Sequence, residues 1–335
     1  MTKAFKDTNA KVDKSKLQNY KIVKPGEVSF VQTTGNEKCL CIAVNHFLEP
    51  IVVTPVNEVF KVDESQLLAD YLYIWWCRKE SDRYARFNSW GSARETFDWN
   101  DMCRVKIPVP SLSVQRNVVE TWQGLRKMKE ENEKLVEPLL ALCRSYLQDC
   151  KKKYPMKGLG EYIVERNERN KEYIFDAECL QGVACTQQFI KSIANTQGMD
   201  LGNHKIVRHG DFAYSNRINV GSIAFRDGDD CIVSPSYTVF YVKDKTKLLP
   251  QFLSILYTRQ EFLRATLFFA FGTIKDDFGF SEMARYRIPL PPIEVQQAVV
   301  DVYRCANEAK RIAEEADRLS REICPALVRW AAEGG

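Results

Sequence analysis

Two long stretches of the chain alternate apolar and polar residues with the period of an α-helix. The apolar stripe in residues 111–155 has heptad spacing and comprises Val118, Trp122, Leu125, Met128, Asn132, Leu135, Leu139, Leu142 and Tyr146. A comparable stripe in residues 292–335 comprises Val299, Val302, Ala306, Ala313, Ala316, Leu319, Ile323, Leu327 and Trp330. A helix of roughly 40 residues is about 60 Å long and cannot bury such a stripe alone. The pattern therefore predicts two helices packed as an antiparallel coiled coil, with ordinary core helices as the alternative.

The segments before these helices repeat each other in the same order. "NYKIVKPGEVSF" (Asn19–Phe30) aligns with "NHKIVRHGDFAY" (Asn203–Tyr214) at an offset of 184, and later segments align at 181. Each half reads as short strands with turn glycines, then a short apolar helix, then an Ile-Pro stop before the long helix. The prediction is an α+β fold with two quasi-repeated globular units, each followed by a long helix.

The repeat predicts four segments: a first unit at 1–110, its helix at 111–155, a second unit at 156–291 and its helix at 292–335. About 30 residues that open the second unit, "MKGLGEYIVERNERNKEYIFDAECLQGVAC", have no counterpart in the first. The first unit is therefore expected to lack its N-terminal strands. A naturally short form, completion by another chain and a different gene start are all compatible with this difference.

Composition describes an ordinary globular chain. The 335 residues are 45% hydrophobic and 27% charged, with a formal net charge of +4. This mild basic excess permits a polyanionic partner without requiring one. No apolar stretch approaches the roughly 20 residues of a membrane span, and the N-terminus has no signal-peptide pattern. A cytoplasmic protein without a membrane partner is expected.

Motifs of catalysis and metal binding are missing. Eleven cysteines are scattered without a CxxC pair, and three histidines cannot complete a zinc site with them. There is no phosphate-binding loop, nucleophile elbow, HExxH motif or the Asn-Pro-Pro-Tyr tetrad of an amino-methyltransferase. The DFG within Asp276–Phe280 lacks the other kinase motifs and reads as a turn. The chain is expected to be neither an enzyme nor a metal protein.

The strand, proline, glutamine and helix junction carries a family resemblance. "KIPVPSLSVQRNVV" (Lys106–Val119) and "YRIPLPPIEVQQAVV" (Tyr286–Val300) share this junction, with Gln115 matching Gln296. Together with "YKIVKPG", "HKIVRHG" and "GLGEYIVERNERN", they make the chain resemble the DNA specificity subunits of type I restriction–modification systems, which act in phage defence.

The resemblance implies a division of labour among subunits. Each globular unit would be a target-recognition domain that reads one half of a bipartite site on double-stranded DNA. The helices would form a spacer that fixes the gap and docks two methyltransferase subunits, which bind S-adenosylmethionine and methylate adenine. Motor–nuclease subunits would join for restriction, with ATP and Mg²⁺. This chain itself would bind no cofactor and no metal.

Base readout is expected from loops that differ between the two halves, since two different half-sites need different contacts. The candidate DNA-binding residues in the first unit are Thr33, Asn36, Lys38, Ser92 and Arg94. Those in the second unit are Asn216, Arg217, Asn219, Ser236, Tyr237, Thr273 and Lys275. Because the first unit is shortened, DNA reading is expected more strongly of the second.

Two other functions stay open at the level of sequence. A coiled-coil interaction scaffold would bind protein and lack a salt-steep DNA affinity. A nuclease with an unrecognised site would show turnover by the purified chain alone with a divalent metal.

Overall fold

The computed structural model describes residues 5, 14–33, 39–91, 95–193, 196–215, 223–269 and 278–332. The chain divides into two units: unit 1 comprises Met1–Lys134 and Lys310–Gly335, and unit 2 comprises Leu135–Ala309. Within the described residues, no helix is long and apolar enough to cross a membrane. The boundaries expected from the repeat stay a prediction.

In each half of the chain a run of short strands comes first and helices follow. The strands are β1 (Lys21–Val23), β2 (Val28–Val31), β3 (Ile42–Val44), β4 (Ile51–Val53), β5 (Asn57–Phe60), β6 (Met156–Gly158), β7 (Ile163–Glu165), β8 (Gln181–Val183), β9 (Phe189–Lys191), β10 (Lys205–Val207), β11 (Asp211–Ser215), β12 (Ile223–Phe225), β13 (Cys231–Val233), β14 (Tyr237–Val242) and β15 (Arg287–Pro289). The helices are α1 (Ala69–Trp76), α2 (Lys79–Phe87), α3 (Trp99–Cys103), α4 (Leu112–Lys153), α5 (Pro250–Tyr257), α6 (Gln260–Phe269), α7 (Phe280–Arg285) and α8 (Ile293–Ala332). Short 3-10 helices lie at Lys14–Asn19, Leu159–Glu161 and Ala177–Cys179. The predicted α+β composition and the two long helices are confirmed.

Unit 1 is built on an antiparallel sheet of order β3-β2-β5 and a separate β1–β4 pair. Gly26 turns the chain between β1 and β2 with a φ of +80°, a conformation that favours glycine. The core packs β2 against α1 through fully buried aromatic and aliphatic side chains, among them Phe30, Tyr71 and Trp76. Val118 and Trp122 of α4 and Val328 of α8 belong to the same core.

Unit 2 is built on an antiparallel sheet of order β12-β11-β14-β7. The pairs β10–β13, β8–β9 and β15–β6 complete its strands. Gly210, with a φ of +89°, makes the turn before β11, as Gly26 does before β2. Stacked rings of Phe212 and Phe240, 5.0 Å apart, meet the edge of Tyr257, and all three side chains are fully buried. This aromatic core holds the sheet against α5.

A buried glutamine fastens the start of α4 in unit 1. The Gln115 Oε1 accepts a hydrogen bond from the Leu68 backbone N–H at 2.8 Å. Its Nε2 donates to the carbonyls of Gln66 and Pro110 at 2.9 and 2.8 Å. The amide is fully buried, so these three bonds satisfy groups that water cannot reach.

Gln296 makes the corresponding set of bonds at the start of α8. Its Oε1 accepts from the Leu249 N–H at 2.9 Å, and its Nε2 donates to the carbonyls of Lys247 and Pro291 at 2.8 and 2.9 Å. It is also fully buried. In both units the glutamine therefore connects the long helix to the loop that precedes α1 or α5.

Burial along α4 drifts away from the predicted heptad stripe. Val118 and Trp122 are buried as predicted, but Leu142 and Tyr146 are 43% and 46% exposed. The buried side chains in the last third of the helix are Cys143, Leu147 and Cys150. An α-helix with 3.6 residues per turn drifts about 20° per heptad against a 3.5-residue repeat, and this drift accounts for the shift.

Candidate nucleic-acid interface

In unit 2, residues that flank the three predicted reading loops lie together at one end of β11 and β14. Ser215 ends β11 immediately before residues 216–222, and it pairs across the sheet with Tyr237. Ser236, directly before Tyr237, is exposed. The ring of Phe278, which follows residues 270–277, lies 5.8 Å from the ring of Tyr214. The structure thus brings the two described candidates, Ser236 and Tyr237, beside the ends of both other loops.

Tyr237 is held in place by the β8–β9 hairpin. Its hydroxyl oxygen accepts a hydrogen bond from the Val183 N–H at 3.3 Å, and its partly buried ring packs against the same buried cluster as Val183 and Phe189. The hydroxyl keeps its own proton for donation. Tyr237 can therefore donate one further hydrogen bond from a fixed position.

In unit 1, a small bridge joins the flanks of the two predicted loops. Thr33, which precedes residues 34–38, forms an isolated β-bridge with Thr96, and Thr96 forms another with Trp90. The second bridge joins residues on either side of residues 92–94 in the sequence. The rings of Phe30 and Phe97 meet beneath them with centroids 6.3 Å apart. The flanks therefore converge in unit 1 as they do in unit 2.

Most of the predicted contact residues lie outside the described residues. These are Asn36, Lys38, Ser92, Arg94, Asn216, Arg217, Asn219, Thr273 and Lys275. Their role in DNA binding stays a prediction, as does that of Thr33, Ser236 and Tyr237.

A network of ion pairs behind β11 was not foreseen from the sequence. The Arg166 guanidinium binds both carboxylate oxygens of Asp211, with Nε–Oδ2 and Nη2–Oδ1 distances of 2.6 and 3.2 Å. Arg208 joins Glu168 and Asp230, the latter at 2.8 Å. The partners are up to 45 residues apart in sequence, so no local pattern signals them.

The charges of this network pair with one another and so stabilise the strands. Burial raises the pKa of Asp211 while its bond to Arg166 opposes the rise, and the hydrogen bond from Arg208 lowers the pKa of Glu168. Because both guanidinium groups are engaged by carboxylates, phosphate binding would fall to other cations. The network instead stiffens the strands that carry the predicted loops.

The β8–β9 hairpin adds polar surface beside Tyr237. Arg226 donates to Gln181 Oε1 at 2.9 Å and lies over the Phe189 ring at 5.2 Å. Lys191 is exposed on β9. The hairpin turn places Gln187 at a φ of +62°, and the Gln187 Nε2 donates to the Tyr257 carbonyl at 3.1 Å. Its first strand, β8, lies in the stretch without a counterpart in the first half, which is the signal that could have singled it out.

No grouping suited to a metal ion occurs in the part of the chain that the structure describes. Burial raises the pKa of the Cys231 thiol to about 11. Its thiolate is therefore strongly disfavoured at neutral pH. The arrangement offers hydrogen-bond donors and acceptors on a rigid frame, which is the chemistry of recognition.

Part of this frame is similar to a known family. Residues 146–303 match the family described as type I restriction modification DNA specificity domain. The fold is similar to that of the type I restriction–modification system S subunit from M. genitalium, with a TM-score of 0.62, 11% identity, and 92% of this chain and 83% of that chain covered. The HsdS subunit from Thermoanaerobacter tengcongensis aligns with a TM-score of 0.42 and 16% identity over 93% of this chain and 82% of that chain. No curated protein gives a significant sequence match.

Proposed function

We propose that this chain reads a bipartite target on double-stranded DNA and positions adenine methyltransferase subunits on it. The premise is that residues 146–303 match the family of type I restriction–modification DNA specificity domains. The chain would act in the cytoplasm as the non-catalytic specificity subunit of a restriction–modification complex. The observation that carries the proposal is the convergence of loop-flanking residues, such as Ser215 and Tyr237, within this domain.

Reading of two different half-sites is supported by a shared frame with different loops. Phe30 and Phe97 in unit 1 hold the same positions as Tyr214 and Phe278 in unit 2, with similar ring contacts. The loops between these anchors differ in sequence. A common frame with variable loops lets each unit meet a different set of base edges.

A quasi-repeat and an antiparallel spacer are supported by contacts inside each unit. Gln115 and Gln296 make matching sets of three hydrogen bonds. Within unit 1, Lys129 of α4 pairs with Asp317 of α8 at 2.8 Å. Within unit 2, Cys143 Sγ lies 3.8 Å from the Val299 carbonyl oxygen. Later residues of α4 thus contact earlier residues of α8, the order expected of antiparallel helices.

Catalysis is assigned to partner subunits. Two methyltransferase subunits would bind S-adenosylmethionine and methylate adenine, and motor–nuclease subunits would use ATP and Mg²⁺ for restriction. This chain would contribute target choice and spacing, for which donors, acceptors and fixed geometry suffice.

The test combines the purified chain, the methyltransferase encoded beside it, S-adenosylmethionine carrying a labelled methyl group, and unmethylated host DNA. Transfer to adenine is expected only when the chain is present, with affinity for DNA that falls steeply as salt rises because phosphate contacts release counterions. Transfer that is equal without the chain contradicts the proposal. A complex with no DNA affinity at any salt would favour a protein scaffold.

A further inference from the structure

Helices α2 and α6 expose the same pair of side chains at equivalent places in the two units. Arg83 and Phe87 on α2 match Arg264 and Phe268 on α6 at an offset of 181. Phe87 is 84% exposed and Phe268 is 79% exposed, although phenylalanine is among the residue types most often buried. Residues four apart on a helix share one face, so each arginine lies one turn from its phenylalanine. We call each such pair an Arg–Phe face.

Other identities along this segment have roles inside their own unit. Phe97 and Phe278 are both buried in the core. Glu80 pairs with Arg329 of α8 at 3.6 Å, and Glu261 pairs with Lys151 of α4 at 3.3 Å. Packing and ion pairing therefore account for these matches, but they do not account for the two exposed phenylalanines.

The arginines of the faces are available to a partner. Arg264 is exposed and makes no ion pair among the residues that the structure describes. Arg83 has a side chain that is 75% exposed and reaches Glu80 only at 3.4 Å, a surface contact of little energy. Each face thus joins a solvated guanidinium to an exposed phenyl ring, and the Phe268 ring also meets the ring of Phe269 at 5.4 Å.

The exposed residue just before each phenylalanine shows that the two helices do not simply share one surface composition. Arg86 and Leu267 occupy equivalent exposed positions directly before Phe87 and Phe268, yet they are a cation in one unit and an apolar side chain in the other. Among the positions exposed on both helices, the match is therefore confined to the arginine and the phenylalanine. A feature that is identical in both units fits a ligand that is identical at both.

From this we infer that each Arg–Phe face docks one copy of the same protein, the methyltransferase subunit, through an apolar pocket for the ring with a carboxylate at its rim. The inference rests on the proposed function. Half-sites that differ in sequence call for different contacts, whereas two methyltransferase copies present the same surface twice. DNA phosphate is also common to both sides, but it offers nothing to a phenyl ring. Arginine and aromatic side chains are enriched at protein interfaces and dominate their energies.

The test counts methyltransferase copies by native mass spectrometry on the purified full chain mixed with purified methyltransferase. The unaltered chain is expected to carry two copies. Phe87→Ala and Phe268→Ala should each carry one, and the double variant none, at protein concentrations just above the dissociation constant. Loss of a buried aromatic anchor should weaken each site about tenfold or more.

Matched controls come from the neighbouring residues. Arg86→Ala and Leu267→Ala should keep two copies, since these positions differ between the units. All four single variants should keep the melting temperature of the unaltered chain, because the side chains are exposed. DNA affinity of the chain without methyltransferase should also be unchanged.

Two copies on the double variant would overturn the inference while leaving the proposed function intact. The same holds if the phenylalanine variants keep two copies but lose DNA affinity, which would make the faces part of the DNA contact. If the unaltered chain captures no methyltransferase, the proposed function fails and the inference fails with it.

Discussion

At the scale of single residues, the amide of Gln296 is the most sharply defined group in the junction. Gln296→Ala would remove the hydrogen-bond partner of the Leu249 N–H and of the Lys247 and Pro291 carbonyls at a partly buried junction. Each unsatisfied buried group costs about 1–3 kcal/mol, so the free energy of unfolding should fall by about 2 kcal/mol or more. Urea denaturation followed by circular dichroism measures the change.

Gln297 is the control for this substitution. It lies next in sequence and is exposed, and its side chain bonds to Asp301 at 3.0 Å on the same helix. Gln297→Ala should change the free energy of unfolding by no more than about 0.5 kcal/mol. Equal costs at the two positions would mean that the buried bonds of Gln296 do not stabilise the junction.

Glu168 links the stability of the β11 frame to pH. Its hydrogen bond from Arg208 lowers its pKa, so the pair stabilises the fold above the ordinary glutamate pKa, and this contribution is lost as pH falls through the lowered value. Glu168→Gln should therefore melt at a lower temperature than the unaltered chain at pH 7. The difference should shrink below about pH 4. Melting curves at both pH values test this, and a difference independent of pH would rule out the linkage.

Sequence reasoning at this scale found residues whose pattern is local. The Gln115 and Gln296 match was visible because each follows an Ile-Pro stop at the same spacing. The three bonds that explain it involve carbonyls up to 49 residues away and could not be read from the chain. The Arg166–Asp211 pair was missed for the same reason, since its partners meet only in the folded sheet.

At the scale of elements, the strand pairs β1–β4 and β10–β13 have the same register, but only β10–β13 is buried beneath other side chains. Ile22 faces Val52 in unit 1, and Ile206 faces Ile232 in unit 2. Ile206 is 2% exposed because it packs in a cluster with Leu180, whereas Ile22 is 59% exposed. The stretch that opens the second unit supplies Leu180 and has no counterpart in the first half.

This difference predicts unequal costs for the same substitution. Ile206→Ala should lower the free energy of unfolding by about 2–4 kcal/mol, since it leaves a cavity in a buried cluster. Ile22→Ala should cost no more than about 0.5 kcal/mol. Chemical denaturation of the two variants measures both values, and similar costs would mean that another segment covers Ile22 in solution.

The long helices show what periodicity can and cannot predict. The presence of two long helices followed from the apolar stripes, and the structure has them at Leu112–Lys153 and Ile293–Ala332. The buried positions did not follow over the whole length, because a strict heptad and a straight helix diverge over 42 residues. In α8, Ala306, Ala313 and Ala316 are buried as predicted, but Ile323 and Trp330 are 41% and 56% exposed.

The proposed spacer predicts that helix length sets the gap in the DNA target. Four residues inserted after Lys134 in α4 and four after Ala309 in α8 add about one turn, near 6 Å, to both helices. The DNA between the two half-sites should lengthen by about two base pairs, because each base pair rises about 3.4 Å along the duplex. Replacing four exposed residues at each place without insertion is the control. Mapping of methylated adenine decides the outcome, and an unchanged gap with full methylation would contradict the spacer.

At the scale of the whole molecule, the sequence predicted an α+β chain, two long helices and the specificity family, because repetition and junction motifs are properties of order along the chain. The individual DNA contacts were less accessible. Loop chemistry underdetermines base choice, and of the twelve candidate residues only Thr33, Ser236 and Tyr237 lie among the described residues. The matched Arg–Phe faces emerged only when exposure was known.

The central claim is that this chain chooses the DNA target of a methyltransferase. The most direct measurement is co-expression with the methyltransferase encoded beside it in a host without other adenine methylation, followed by mapping of methylated adenine across the genome. The account predicts one bipartite sequence with a fixed gap, in which Tyr237→Ala alters methylation through one half only. Robust methylation with no common sequence, or a bound methyltransferase with no methylation at all, would contradict it.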